Sequence, residues 1–166
     1  RKYIDWTFFF SAWEIRGSYP KLLNNPTKGK AARELFDNAN QILNEIIEKD
    51  LLQANIAYGF WPANAEKDNI ILYKNEERID ELVRFNMLRQ KKIKKGITLS
   101  LSDFIAPIDS GIDDYIGAFA VTAGINASKL SEKYEDENDD YNAIMVKTIA
   151  DRLAEALAEL IHQKVR

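Results

Sequence analysis

The sequence predicts an α+β domain, with helices packed on a mostly antiparallel, twisted sheet and a long helix at the C-terminal end. Two stretches near the ends carry the three- and four-residue apolar spacing of amphipathic helices, β-prone runs broken by polar turns lie between them, and the order helix, strands, helix favours antiparallel pairing. At 166 residues, 46% apolar and 11% aromatic, the chain has enough material for a core. One domain spanning residues 1–166 is expected.

Residues 1–29 are rich in aromatics and turn formers, with Gly17, Pro20, Asn24-Asn25-Pro26 and Gly29 interrupting any long period, and read as an ordered, irregular lead-in. From Lys30 the residues Ala31, Leu35, Ala39, Ile42, Leu43, Ile46 and Ile47 form one apolar stripe, which predicts a helix of about five turns. Ile56 to Trp61 is β-prone and ends at Pro62; after the polar tract Asn64 to Asp68, Asn69 to Tyr73 reads as a second, adjacent strand. Glu76 to Arg89 suits either period and is read as a strand. Lys91 to Gly96 is a basic turn, Leu99 to Ile105 a short strand or a helical turn, and Tyr115 to Thr122 a strand. The last element runs from about Asp140 to Val165, with Ile144, Met145, Thr148, Ile149, Leu153, Ala156, Leu157, Leu160 and Ile161 on one face. Asp139 and Asp140 stand at its start, where free N–H groups and the helix dipole favour carboxylates.

Composition excludes several classes of function. The longest apolar stretch, Ile116 to Ala123, is far short of the roughly 20 residues of a bilayer-spanning helix, so no membrane partner is expected. With no cysteine, the chain has no disulfide framework, cysteine nucleophile or thiolate metal site, which fits a cytoplasmic location. A net charge of −3 gives no general field for a phosphate backbone, and Lys91 to Lys95 lie far in sequence from the aromatics near Trp6, so no nucleic-acid partner is expected.

Six motifs occur in order: Tyr3-Ile4-Asp5-Trp6-Thr7-x-Phe9-Phe10; Gly59-Phe60-x-Pro62-Ala63-Asn64; Leu88-Arg89-Gln90; Ser102-Asp103-Phe104-Ile105-Ala106-Pro107; Asp114-Tyr115-Ile116-Gly117-Ala118-Phe119-Ala120-Val121-Thr122; and Asp140-Tyr141-Asn142-x-Ile144-Met145-Val146-Lys147, running into Ala150 to Ala156. Together they resemble the activation domain of cobalamin-dependent methionine synthase. That resemblance implies a domain of a methyltransferase that binds S-adenosylmethionine and supports reductive methylation of inactive cob(II)alamin. Cobalamin, and zinc, would be held by other modules of the parent enzyme. The implied partners are the cobalamin-binding module and flavodoxin or an equivalent reductase.

By the same resemblance, Asp5 is the S-adenosylmethionine-binding residue, through a charge-assisted hydrogen bond to the ligand's amino group. A carboxylate in such a position, taken alone, is more often an exposed or capping acid. Asp151 and Glu155 match carboxylates turned toward the cobalamin module; their alternative is a solvated stripe with Lys147 and Glu159, including a Lys147 to Asp151 pair. Lys91, Lys92, Lys94 and Lys95 either steer an acidic reductase or form a solvated turn. Trp6, Phe9, Phe10 and Trp13 wall an adenine pocket or belong to the core, the latter favoured by their clustering. His162 lacks the setting of a cobalt ligand and reads as a surface residue. No catalytic or metal-binding residue is assigned. Position 8 is Phe where the family motif often has Pro.

The family's further ligand motif, an Arg and a Gly-Tyr-Pro-Ala-Cys-Pro run, is absent here, so the chain is expected to be the N-terminal part of the activation domain, inactive by itself and a weak ligand binder. A non-catalytic docking module for the cobalamin domain or flavodoxin is the alternative.

Overall fold

The computed structural model describes residues 1–92 and 96–166. In chain order it holds α1 (Trp6–Ala12), a 3₁₀ turn (Lys21–Asn24), α2 (Gly29–Glu48), β1 (Gln53–Glu66), β2 (Asn69–Tyr73), β3 (Glu81–Asn86), 3₁₀ turns at Leu101–Phe104 and Ile108–Ser110, β4 (Asp114–Ile125), α3 (Ala127–Asp136) and α4 (Asp140–Val165). The sheet order is β3-β2-β1-β4, with β1 antiparallel to β2 and β2 to β3. The α+β expectation and the long final helix hold. By chain packing there are two compact units: residues 1–56 with 121–166, and residues 57–120.

The first unit is helical around one apolar cluster that includes Phe9, Phe10, Leu35, Leu43, Met145, Val146 and Ile149. Its lead-in is not irregular throughout, because α1 lies within it. Seven residues are too few to show a period in sequence, and the helix is set by its start: Asp5 Oδ1 accepts the Phe8 N–H at 3.1 Å, while Ile4 and Phe9 both pack into the cluster, as in a hydrophobic staple. Helix α2 fits its predicted span, but Ala32 rather than Ala31 is buried and Ile47 is exposed. Helix α4 likewise turns Met145, Val146, Ile149 and Ala150 inward and leaves Ile144 exposed. Asp139 caps it, accepting from the Asn142 backbone N–H at 3.0 Å. Sequence reading missed α3, whose only inward groups are Ala127, Leu130, Ser131 and Tyr134, too sparse a stripe to signal a helix.

The second unit is built on the β1–β2 hairpin, where Ala63 faces Leu72 and Glu66 faces Asn69. Strand β1 continues past Pro62 to Glu66, although the sequence suggested a stop. Pro62 lies one residue beyond the last pair with β2, so its missing N–H costs no rung of that ladder. Buried Asn64 is tolerated in the strand because its amide donates to the Ala106 and Ile112 carbonyls at 3.1 and 3.0 Å. The stretch read as a strand over Glu76 to Arg89 holds the shorter β3, and Leu99 to Ile105 resolves as a helical turn.

Two arginines organise this unit. Arg78, in a left-handed conformation (φ 55°) with its side chain 12% exposed, donates to the Ala63 carbonyl, Asn64 Oδ1 and the Asp114 carbonyl at 3.2, 2.9 and 3.0 Å. Its Nε is 3.1 Å from Asp113 Oδ1 but poorly aligned for a hydrogen bond, so that pair is an ion contact only. Arg89 reaches Asp68 and Asp103, each at 2.7 Å, and the Thr98 carbonyl, also at 2.7 Å. The Arg89 guanidinium, with help from the Ser100 N–H, holds the Asp103 carboxyl down at about 2.

Candidate functional site

Helix α1 and the middle of α4 frame a small cavity of about 240 Å³, lined by Tyr3, Asp5, Phe8, Arg152, Glu155 and Glu159. Asp5 enters it because an N-cap residue leaves the helical path, so its side chain can turn back over the first turn. Only Oδ1 is used by the cap; among the described residues Oδ2 has no protein partner, which leaves an acceptor for a ligand donor. Glu155 and Glu159 stand one turn apart on α4. Arg152 is the one cation in the lining; its guanidinium lies 5.7 Å from the Phe8 ring centroid and it also bonds Asp151. On the rim, the Tyr3 hydroxyl donates to the Gln163 side chain.

The carboxylate expected to bind ligand and one of the two expected to face the cobalamin module thus line one hollow. Asp151 does not line it: its side chain, 66% exposed, is paired with Arg152. The Lys147 to Asp151 pair does not form. Lys147 instead reaches Glu135 of α3 at 2.9 Å and lowers that carboxyl's pKa. The stripe is therefore interrupted by a contact between helices that spacing along α4 alone could not reveal.

The aromatic cluster is core. Phe9 and Phe10 are buried, Trp6 packs edge-on against Phe9 and Phe36 at 5.2 and 4.6 Å, and none of Trp6, Phe9, Phe10 or Trp13 lines the cavity. The aromatics that do are Tyr3 and Phe8, the latter marked in the sequence only as a departure from a motif. His162 is exposed. Lys91 and Lys92 are exposed on the second unit, and Lys94 and Lys95 lie outside the described residues. Among the described residues no group of three or more His, Asp or Glu side chains is placed to hold a metal ion, and no helix is long and apolar enough to cross a membrane.

A larger hollow of about 350 Å³ shares Tyr3 with the first and is walled by Ile46, Ile47, Leu153, Leu157 and Leu160. Its walls are mostly aliphatic, with Arg1 and Asp50 also in the lining, whereas the smaller cavity presents three carboxylates, a guanidinium and the Tyr3 and Phe8 rings. Chemistry, not size, selects the smaller one.

The whole chain, residues 1–166, matches the model of the family described as vitamin B12 dependent methionine synthase, activation domain. A crystal structure described as the MetH reactivation domain bound to AdoHcy superposes with a TM-score of 0.93 at 44% identity, over 99% of this chain and 51% of that one. The chain thus spans about half the length of the solved relative. Matched along its full length in sequence and superposed on a reactivation domain in fold, the chain belongs to the activation-domain family of vitamin B12-dependent methionine synthases.

Proposed function

We propose that this chain forms one wall of a site for S-adenosylmethionine, and that it serves reactivation of cobalamin in a methionine synthase. The observation that carries the reading is the second oxygen of Asp5, without a protein partner, in a cavity that also holds Glu155 and Arg152. Support comes from the full-length family match and from the related reactivation domain, which holds AdoHcy.

The ligand's sulfonium methyl group supplies the chemistry; the residues supply position. Asp5 accepts from the ligand ammonium, a charge-assisted bond that fixes the amino-acid end. At about 240 Å³ the cavity is smaller than the ~300–1,000 Å³ of ordinary ligand pockets, so it fits that end of the molecule and not the whole nucleoside. The remaining wall belongs to the part of the domain outside residues 1–166. Glu155 and exposed Asp151 face the cobalamin-binding module, and Lys91 and Lys92, with Lys94 and Lys95, steer an acidic reductase such as flavodoxin.

Titration calorimetry of AdoHcy into residues 1–166 and into a chain extended to the length of the relative tests this. Tight binding to the extended form, weakened by Asp5→Asn, is expected; a folded extended form that takes no ligand would leave only the docking-module reading.

A further inference from the structure

Phe8 departs from the family motif, and the structure gives it two contacts that proline lacks. Its N–H donates to Asp5 Oδ1 at 3.1 Å, and its ring, in a residue 63% exposed, lies 5.7 Å from the Arg152 guanidinium. Proline has no N–H and no aromatic face for a cation. Arg152 in turn folds back along α4 to Asp151, with Nε 3.1 Å from Oδ2. Successive residues on a helix point roughly 100° apart, so the two side chains meet only because the arginine is long and is drawn back. With its side chain just 16% exposed, Arg152 has one conformation to offer rather than a solvated ensemble.

We propose that Phe8 and Arg152 are positioning residues that join the ligand side of the cavity to the exposed face of α4, through the ordered contacts Asp5, Phe8, Arg152 and Asp151. The proposal rests on the Asp5 reading. A ligand ammonium on Oδ2 draws charge from, and pulls on, the same carboxylate whose Oδ1 accepts the Phe8 N–H, so that bond weakens, the first turn of α1 adjusts, the ring moves under Arg152, and the hold on Asp151 changes. Occupancy of the cavity is thereby registered at a carboxylate that does not line it. By linkage, whatever engages Asp151 changes ligand affinity by the same factor.

Adjacency does not establish coupling, so the test is a mutant cycle read away from the mutation. The readout is the Arg152 Nε–H resonance in the ¹⁵N-labelled chain. Asp5→Ala is expected to move it, and to move it by less than a third as much when Phe8→Leu is already present; Phe8→Tyr, which keeps both the N–H and the ring, is expected to retain the full response. Should the loss of the cap unfold α1, Asp5→Asn makes the same comparison with the cap kept. Equal movement with and without Phe8→Leu, or no movement in either, overturns the proposal. AdoHcy added to the extended chain separates the two ideas: no binding while the mutant cycle still shows coupling sinks only the ligand reading, and binding without a response at Arg152 sinks only the relay.

Discussion

Asp5 holds two roles that an ordinary substitution to alanine would confuse. Its Oδ1 caps α1 and its Oδ2 is left for a ligand. Asparagine caps a helix about as well as aspartate does, whereas alanine loses about 1 kcal/mol. Asp5→Asn is therefore expected to leave the urea midpoint nearly unchanged while weakening AdoHcy binding to the extended chain by about 10- to 100-fold, the worth of a charge-assisted hydrogen bond. Asp5→Ala is expected to lower both. If Asp5→Asn left affinity intact, the residue would be a cap and nothing more. The sequence made Asp5 conspicuous through its motif, and it marked Glu155 in the same way. It could not show that they share a cavity, because that depends on where α1 lies against α4, and α1 was too short to be read at all.

At the level of elements, α2, β2 and α4 were legible because each has a period or a bounded β-prone run long enough to register, as at Asn69 to Tyr73. Strand β1 was cut short in the reading because proline and a polar tract usually end strands; here Asn64 is satisfied by Ala106, Ile112 and Arg78, partners that lie 14 to 48 residues away. Residues 87–92 and 96–100, which hold no helix or strand, are tied to their neighbours by polar and ionic contacts. Arg89 ties the hairpin residue Asp68 to Asp103 and to the Thr98 carbonyl, and Asp103 also accepts the Ser100 N–H at 2.8 Å. Asp103 has a folded pKa of about 2 against an ordinary 3.8. A depressed carboxyl contributes stability that is present above the unfolded value and lost as pH falls through the folded one, so this clamp weakens between about pH 4 and pH 2. Carboxyl ¹³C titration is expected to place Asp103 at about 2 in the native chain and to move it up toward the ordinary 3.8 in Arg89→Ala, where only the Ser100 N–H still holds it down. A midpoint near 4 in the native chain would show that the clamp is not formed in solution.

Taken whole, the chain is stabilised differently in its two units. Residues 1–56 with 121–166 rest on a broad apolar cluster, whereas the cluster of residues 57–120 is small, made of Ala63, Ile70 and Leu72 with Trp61, Met87, Ile105 and Ile116 packed against it, and Ala65, Ile71 and Tyr73 are buried beside it in the hairpin. In the second unit polar clamps substitute for missing apolar contact, and this explains why its motifs read as a family signature while composition said little. Asn64, Arg89, Asp103 and Asp114 all belong to the ordered motifs and all fix backbone, Asp114 by accepting the Ala106 N–H on Oδ2 at 2.8 Å. Arg78, the hub of the larger clamp, belongs to none of them, and its left-handed backbone lies in a stretch whose period was ambiguous. Removing it should expose how much this unit depends on polar contacts. Arg78→Ala leaves Asn64 Oδ1 and the Ala63 and Asp114 carbonyls each short of a donor, and it takes the cation from between the Tyr73 and Tyr115 rings, 5.9 and 5.2 Å away. At about 1–3 kcal/mol for each buried group left unsatisfied, partly relieved by water, a loss of about 2–4 kcal/mol is expected. Arg78→Lys should recover little of it, since a single ammonium cannot span the same three acceptors. Hydrogen exchange checks both size and place: amides from Ala63 to Glu66 and around Ala106 should exchange about 30- to 1,000-fold faster in Arg78→Ala, the same free energy expressed as an opening equilibrium. Unchanged exchange there would mean that the small apolar cluster holds the unit by itself and that the arginine merely decorates it.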